Sequence, residues 1–243
     1  MSWTTPDIGL EVYSSGVFYM KTAMAAFDMD GTLIKTRSGK KFPKDSEDWQ
    51  WISSDLLPKL KEASTTHSLV ILTNQSKFND EIRKKIESIC SLLELPVLVL
   101  VSTDYTKYRK PMRGFMDYLE KNYQFSLADS YFVGDAVDNT IDHSNCDLYF
   151  ALNTRLRFHY AHHYFNTGDT KMAKRQIPQP VRPAFNKTPE DITTFQKYDV
   201  IILVGPPAIG KSSFSKSMVG WNSISADSYK TNPQYNKALD ILL

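Results

Sequence analysis

The sequence has only two cysteines among its 243 residues, Cys90 and Cys146, which excludes a disulfide framework and a four-cysteine metal site. No apolar run approaches the roughly 18 residues of a membrane span, and the N-terminal segment lacks the basic and apolar regions of a secretory signal. Charge is nearly balanced, with 29 Lys and Arg against 27 Asp and Glu, so the net charge does not by itself identify the partner. We therefore expect a soluble protein in a reducing intracellular compartment.

Short apolar runs alternate with helical patterns between residues 24 and 152. Strands are predicted at 23–27, 68–73, 97–103, 130–134 and 147–152. Amphipathic helices are predicted at 55–64 and 79–95, where apolar residues recur every three or four positions. This alternation predicts an α/β fold, with a mostly parallel sheet between two layers of helices.

Two aspartates, Asp28 and Asp30, follow the first predicted strand in the segment FDMDGTL. Ligands of open parallel sheets bind at the carboxyl ends of the strands, where both carboxylates would then lie. One carboxylate can attack phosphorus to form an acyl phosphate, and the second can protonate the leaving oxygen and later activate water. The pair therefore indicates phosphoryl-transfer chemistry.

Other polar residues follow the later strands. Thr73, Asn74 and Gln75 end the second strand and offer a hydroxyl and amides to phosphate oxygens. Lys110 offers an ammonium group against the anionic reactants, and Asp135, after the fourth strand, offers a Mg²⁺ ligand. Each motif alone is common in turns and caps, but their joint order at strand ends strongly favours one reaction site.

These motifs resemble the four of the haloacid dehalogenase (HAD) superfamily: DxDGT, a Thr or Ser after the second strand, a Lys, and a final acidic motif. The segment DMDGTLIKTRSGKKFPKDSEDW narrows the resemblance to the phosphatase domain of polynucleotide kinase 3′-phosphatases. The segments TNQ, YRKPMRG and DHSNCDLYFALN are similar to further blocks of that family. The resemblance extends over about residues 10 to 243 and implies a Rossmann-like, three-layer phosphatase domain.

The resemblance also implies roles for individual residues. Asp28 is the expected nucleophile, Asp30 the general acid and base, and Thr73 and Lys110 the phosphate-binding residues. The expected Mg²⁺ ligands are Asp28, Asp135 and the main-chain carbonyl of Asp30. Mg²⁺ is thus the expected cofactor of a covalent aspartyl-phosphate mechanism.

A basic loop follows the nucleophile, and we expect Lys35, Arg37, Lys40 and Lys41 to guide a DNA backbone by phosphate contacts. A solvated face is the alternative interpretation of these four residues. Two departures from the family remove positive charge: SKFND replaces a Gly- and Arg-containing loop after TNQ, and VDNTI replaces a basic stretch. Substrate affinity or strand preference is therefore expected to differ from the family's.

A second motif, GPPAIGKS, follows the apolar segment DVIILV, which is predicted to be a strand, and fits the P-loop pattern. Gly205 and Gly210 would let backbone amides bind the phosphates of a nucleotide, Lys211 would contact the terminal phosphates, and Ser212 would hold Mg²⁺. After a short predicted strand at 223–225, Asp227 matches the family's kinase base. ATP is the expected ligand of this loop.

Three segments follow from these patterns: a phosphatase domain at 1–165, a proline-containing linker at 166–197 and an incomplete P-loop kinase domain at 198–243. The last 46 residues are about a third of a typical P-loop domain, so we expect no 5′-kinase activity from this chain. Three explanations of this short segment stay open: a degenerate kinase, a truncated or alternatively spliced product, and an incomplete gene model.

His159 and His163 have the four-residue spacing of a helical metal site, but no acidic or cysteine ligand accompanies them. A partly buried aromatic helix face is the favoured interpretation. The segment KMAKR at 171–175 is a weak nuclear-import pattern in the linker.

The sequence thus predicts a Mg²⁺-dependent phosphatase that removes 3′-phosphates from DNA ends in strand-break repair. We expect a nuclear monomer without membrane contacts and without a forkhead-associated domain. A small-molecule HAD phosphatase resembling histidinol phosphatase is one alternative, and a nucleotide- or DNA-end-binding module with little catalysis is another.

Overall fold

A computed structural model describes residues 2–41, 43–138, 142, 144–169, 200–203, 210–225, 228–229 and 231–242. The chain divides into two compact units, residues 1–183 and 184–243. Most of the predicted linker, from residue 170 to 197, lies outside the described residues, so the predicted domain boundaries stay a prediction.

The described part of the first unit contains the strands β1 (Ser2–Asp7), β2 (Leu10–Ser14), β3 (Met24–Phe27), β4 (Ile34–Lys35), β5 (Gln50–Trp51), β6 (Ser68–Asn74), β7 (Val97–Ser102), β8 (Tyr131–Gly134) and β9 (Arg157–Tyr160). Seven of them form one sheet in the order β1-β2-β7-β6-β3-β8-β9, and β4 pairs with β5. Strands β7, β6, β3, β8 and β9 are parallel, whereas β2 runs antiparallel to both β1 and β7. The order places β3, which precedes Asp28, between β6 and β8.

The described residues of this unit contain the helices α1 (Leu56–Thr66), α2 (Asp80–Leu93), α3 (Gly114–Asn122), α4 (Cys146–Thr154) and α5 (Ala161–Tyr164). Leu60 of α1 and Ile89 of α2 pack with Phe27 on one face of the sheet. Phe115 of α3 and Phe150 of α4 share a second core with the opposite face. Because the central strands are buried on both faces, their near-continuous apolar runs predict them well. The predicted three-layer α/β domain is confirmed.

The strand predicted at 147–152 is wrong, because this segment lies in α4. A short apolar run cannot by itself distinguish a buried strand from a buried helix. Here Asp147, Leu148, Phe150, Ala151 and Thr154 are buried at helical spacing, and Arg155 ends the helix in a left-handed conformation with φ 61°. Strand β9, which pairs with β8, follows this helix.

Strand β9 also changes the interpretation of the histidines. His159 lies in β9, whereas His163 lies in the short helix α5. The predicted helical face that would carry both is therefore wrong. The N-terminal hairpin of β1 and β2, which the sequence patterns did not identify, extends the sheet at its other edge beside β7.

The described part of the second unit contains two helices, α6 (Lys211–Ser217) and α7 (Asn232–Leu242). Residues 200–203 and 223–225 are not in strands, so both predicted kinase strands are wrong over these positions. A strand requires a hydrogen-bonded neighbour, and no strand is present in the described part of this unit. Among the helices described in either unit, none has the length and apolarity that crossing a membrane requires.

Candidate active site

The polar residues predicted after the parallel strands lie in one crevice. Asp28 follows β3, Thr73 lies at the end of β6, and Asp135 follows β8. Lys110 comes from the loop after β7, yet its Nζ is 2.6 Å from Asp28 Oδ1. Residues up to 107 positions apart therefore converge, because the carboxyl ends of parallel strands meet at one edge of the sheet.

A tight turn links Asp28 to Asp30 and Thr32. The main-chain amide of Gly31 donates to Ile34 O at 2.8 Å, and Gly31 has a φ of 89°, a conformation that glycine adopts readily. A Cβ atom at this position would clash with the carboxylate of Asp135. The hydroxyl of Thr32 donates to Asp135 Oδ1 at 3.1 Å. The turn thus brings the carboxylate that follows β8 against the backbone that follows β3.

Lys110 is the buried cation of the crevice, with a side chain that is 1% exposed. Its Nζ also lies 2.8 Å from Asp147 Oδ1. Asn74, at the end of β6, fixes the loop that carries Lys110: its Oδ1 accepts from Lys110 N at 3.0 Å, and its Nδ2 donates to Lys110 O at 3.1 Å. Burial lowers the pKa of Lys110, but the charges of Asp147 and Asp28 outweigh burial and raise it. The ammonium therefore stays charged.

Three carboxylates share this crevice. Oxygens of Asp28, Asp135 and Asp147 lie within 4.8 Å of one another. Burial raises the pKa of Asp28 to about 7 despite the opposing charge of Lys110, and the neighbouring Asp147 adds to the rise. Burial, together with the charges of Asp28 and Asp147, also raises the pKa of Asp135. Lys110 can neutralise only one of three negative charges, so the cluster suits a hard divalent cation such as Mg²⁺.

Asp147 was not predicted as a site residue, because its segment was assigned to a strand. It lies in the first turn of α4, and its Oδ2 accepts from Ala136 N at 3.1 Å. Gly134 permits this approach, since a Cβ there would lie 2.6 Å from the Asp147 Cβ. An aspartate at the start of an otherwise apolar run was the available signal, because a buried carboxylate needs partners.

Asp30 lies outside this acidic cluster, and its side chain is 49% exposed. Gln75 Nε2 donates to Asp30 Oδ2 at 2.6 Å and to Thr73 Oγ1 at 2.9 Å. The other oxygen, Oδ1, accepts from Lys85 Nζ at 2.9 Å. Lys85 was also missed, although the spacing of Ile82, Lys85 and Ile89 places it on the apolar face of α2. Asp30 therefore has hydrogen-bond partners of its own, different from the Lys110 that contacts Asp28.

The basic loop lies between β4 and β5. Lys35, Arg37, Lys40 and Lys41 are all exposed, and Arg37 Nη2 donates to Trp49 O at 3.2 Å. Asp48 organises the loop by accepting from Ser38 N at 2.7 Å, Ser38 Oγ at 2.6 Å and Lys44 N at 3.0 Å. A cavity of about 730 Å³ adjoins the loop and is lined in part by Lys35, Trp51 and Asn166. The loop is a structured, exposed and basic surface.

The P-loop residues are described only in part. Gly205 and Asp227 lie outside the described residues. Gly210 has a φ of 100° and precedes α6, whose first residues are Lys211 and Ser212. The roles expected for these five residues in binding ATP and in kinase activity, and the expected inactivity of the kinase part, stay predictions.

Comparison with known proteins extends this picture. Residues 23–165 match the family described as polynucleotide kinase 3 phosphatase. The bifunctional polynucleotide phosphatase/kinase of Schizosaccharomyces pombe is 30% identical over 253 aligned positions, covering 98% of this chain. This chain spans only 62% of the length of that relative.

Two further similarities concern the phosphatase part. The polynucleotide 3′-phosphatase ZDP of Arabidopsis thaliana is 28% identical over 172 positions, covering 60% of this chain and 24% of the relative. A crystal structure described as a HAD-like phosphatase from Mesorhizobium loti covers 64% of this chain and 80% of its own, with a TM-score of 0.51 and 19% identity. At that identity the structure supports the fold alone.

Proposed function

Since this chain belongs to the polynucleotide kinase 3 phosphatase family, we propose that it removes 3′-phosphates from DNA ends through a covalent aspartyl phosphate. The main observation in support of the covalent mechanism is the position of Asp28 beside Lys110. Asp28 lies at the carboxyl end of β3 with its Oδ1 2.6 Å from the buried Nζ of Lys110. The ammonium can neutralise the phosphate and the attacking carboxylate together, which lowers the cost of bringing two anions into contact.

In the first step, an Asp28 carboxylate oxygen forms a bond to phosphorus while the bond from phosphorus to the 3′-oxygen breaks. For this step Asp30 is in its protonated form, and it gives that proton to the departing 3′-oxygen, which leaves as a hydroxyl. Lys110 contacts Asp28, and Thr73, at the end of β6, would present its hydroxyl to the phosphate oxygens. The products are an acyl phosphate on Asp28 and a DNA end with a 3′-hydroxyl.

In the second step, water attacks the phosphorus of the acyl phosphate and Asp30 accepts its proton. The bond to Asp28 breaks, which releases inorganic phosphate and restores the carboxylate. Asp147 takes no part in bond formation in this proposal, but it holds Lys110 in place through the contact at 2.8 Å. The two aspartates of the DMD segment thus have separate tasks.

Mg²⁺ is the cofactor that the acidic cluster fits. Asp28, Asp135 and the main-chain carbonyl of Asp30 would hold the ion, which would supply positive charge to the phosphate oxygens. The excess of carboxylates over the single ammonium of Lys110 and the raised pKa of Asp28 and Asp135 support this assignment. The basic loop would contact the DNA backbone, since exposed lysines and arginines bind phosphates without sequence preference.

A role in DNA strand-break repair follows from the proposed reaction, and we propose the nucleus as its location. A 3′-phosphate blocks polymerases and ligases, which require a 3′-hydroxyl, so its removal prepares a broken end for repair. The names of the relatives from S. pombe and A. thaliana support a polynucleotide as substrate. The nuclear-import pattern at 171–175 lies outside the described residues.

The test is phosphate release from an oligonucleotide with one 3′-phosphate, measured with Mg²⁺ and again with EDTA. We expect release only with Mg²⁺ and only from protein with an intact Asp28. Asp28→Asn should abolish turnover because an amide is a far poorer nucleophile. Asp80→Asn is the matched control, because Asp80 is exposed in the first turn of α2.

The other outcomes separate the alternative functions. Faster turnover of small phosphate esters than of oligonucleotides would favour a small-molecule phosphatase. Binding of oligonucleotides by well-folded protein without phosphate release would favour a DNA-end-binding module. Turnover retained by the Asp28→Asn variant would contradict the covalent mechanism.

A further inference from the structure

Lys85 is a lysine at a core position of α2. Its side chain is 3% exposed, and it lies on the buried helix face with Ile86, Ile89 and Leu93. Lysine is almost never fully buried without a partner, because removing an ammonium from water costs several kcal/mol. Within the described part of the chain, the carboxylate at ion-pair distance from Lys85 is that of Asp30, at 2.9 Å.

The contact with Lys85 fixes one oxygen of the Asp30 carboxylate, and Gln75 fixes the other oxygen. Lys85 Nζ donates to Oδ1, and Gln75 Nε2 donates to Oδ2 at 2.6 Å. The two donors come from different elements, since Lys85 belongs to α2 and Gln75 follows β6. A carboxylate that is 49% exposed would otherwise rotate among several orientations. Both of its oxygens are instead anchored to rigid parts of the fold.

Each acid of the DMD segment consequently has its own buried lysine. Lys110 pairs with Asp28, whereas Lys85 pairs with Asp30. This division matches the two tasks of the proposed mechanism, because Asp28 reacts with phosphorus and Asp30 transfers protons. A proton donor must lie within hydrogen-bond reach of the leaving oxygen, and a misplacement of about 1 Å can cost about 100-fold in rate.

We propose that Lys85 is a positioning residue, whose ion pair with Asp30 holds that carboxylate in the orientation needed for proton transfer. The inference rests on the proposed function, since it takes Asp30 as the general acid and base. In this proposal Lys85 acts through Asp30 and does not itself contact the substrate. Its loss should therefore impair proton transfer and leave the attack by Asp28 largely intact.

Substrates with different leaving groups distinguish these two effects. The 3′-oxygen of a nucleotide leaves as a strongly basic alkoxide unless it is protonated, whereas 4-nitrophenolate is a weak base and leaves without help. The second step is different, because water needs the base whichever leaving group has departed. Displacement of Asp30 should therefore slow the first step only for oligonucleotides and the second step for both substrates.

The experiment compares Lys85→Met with Lys84→Met, since Lys84 is the exposed neighbour on the same helix. We expect Lys85→Met to lower kcat/KM for a 3′-phosphorylated oligonucleotide about 100-fold and to change kcat/KM for 4-nitrophenyl phosphate little. Acid quenching during turnover of 4-nitrophenyl phosphate should trap more covalent phosphoenzyme than in the wild type. Lys85→Arg should restore much of the activity because it keeps the charge, and Lys84→Met should behave like the wild type.

Equal losses of kcat/KM on both substrates, or wild-type values on both, would overturn the inference, as would an unchanged level of phosphoenzyme. If Lys85→Met does not fold, Lys85→Gln provides the same comparison with a polar side chain. If the wild type hydrolyses aryl phosphates but no oligonucleotide, the proposed substrate is wrong. The role of Lys85 is then tested with phenyl phosphate against 4-nitrophenyl phosphate, whose leaving groups also differ in basicity.

Discussion

Replacing Gly31 by alanine tests whether the turn after β3 positions the metal-binding acids. The φ of Gly31 is 89°, and an added Cβ would clash with the carboxylate of Asp135. A left-handed conformation costs a residue with a Cβ about 1–2 kcal/mol. The Asp135 side chain can rotate away, so the clash should add little to this loss of stability. Rotation would, however, remove the hydrogen bond from Thr32 at 3.1 Å and displace a proposed Mg²⁺ ligand.

Gly16→Ala is the matched control for backbone strain. Gly16 has a φ of 114°, and an added Cβ would meet no atom within 4 Å. Each variant should lower the thermal midpoint by about 2–8 °C, since 1 kcal/mol corresponds to about 2–4 °C in a unit of this size. Only Gly31→Ala should also lose turnover, by about 100-fold, because displacement of about 1 Å at a reacting centre has that effect.

Two assays decide the outcome. Thermal unfolding measures the loss of stability that backbone strain causes. Phosphate release from a 3′-phosphorylated oligonucleotide with saturating Mg²⁺ measures turnover at the site. Wild-type turnover in folded Gly31→Ala would refute the idea that the turn holds Asp135 in place. A comparable loss of turnover in Gly16→Ala would show that the effect comes from general destabilisation.

Two further predictions concern the charges of the site. Burial raises the pKa of Asp28 to about 7, so the folded state binds more protons than the unfolded state between about pH 4 and 7, and the contribution of Asp28 to stability falls as the pH rises. In EDTA, the thermal midpoint of Asp28→Asn should therefore exceed that of the wild type at pH 8, and the difference should be smaller at pH 5. An equal difference at both pH values would contradict this reasoning. Replacing Lys40 and Lys41 by alanine should raise KM for oligonucleotides and reduce the dependence of log KM on log salt by about one unit per lost phosphate contact; an unchanged salt dependence would argue for a merely solvated loop.

The local pattern of the chain was sufficient for much of the fold. Four of the predicted strands and both named helices are present, because an apolar run on a central strand and an amphipathic period on a helix are local signals. The strand predicted at 147–152 was wrong because local signals are ambiguous there: its apolar residues suit a buried helix equally well. Whether such a run becomes strand or helix depends on which neighbours cover it.

The sequence by itself also placed Asp28, Thr73 and Asp135 in one crevice, because parallel strands bring their carboxyl ends to one edge of a sheet. Only the tertiary structure revealed Asp147 as the second partner of Lys110 and Lys85 as the partner of Asp30. These pairs join residues 37 and 55 positions apart, and no local pattern encodes their distance. The charge balance of the site depends on such distances and on burial, and both arise only when the helices pack against the sheet.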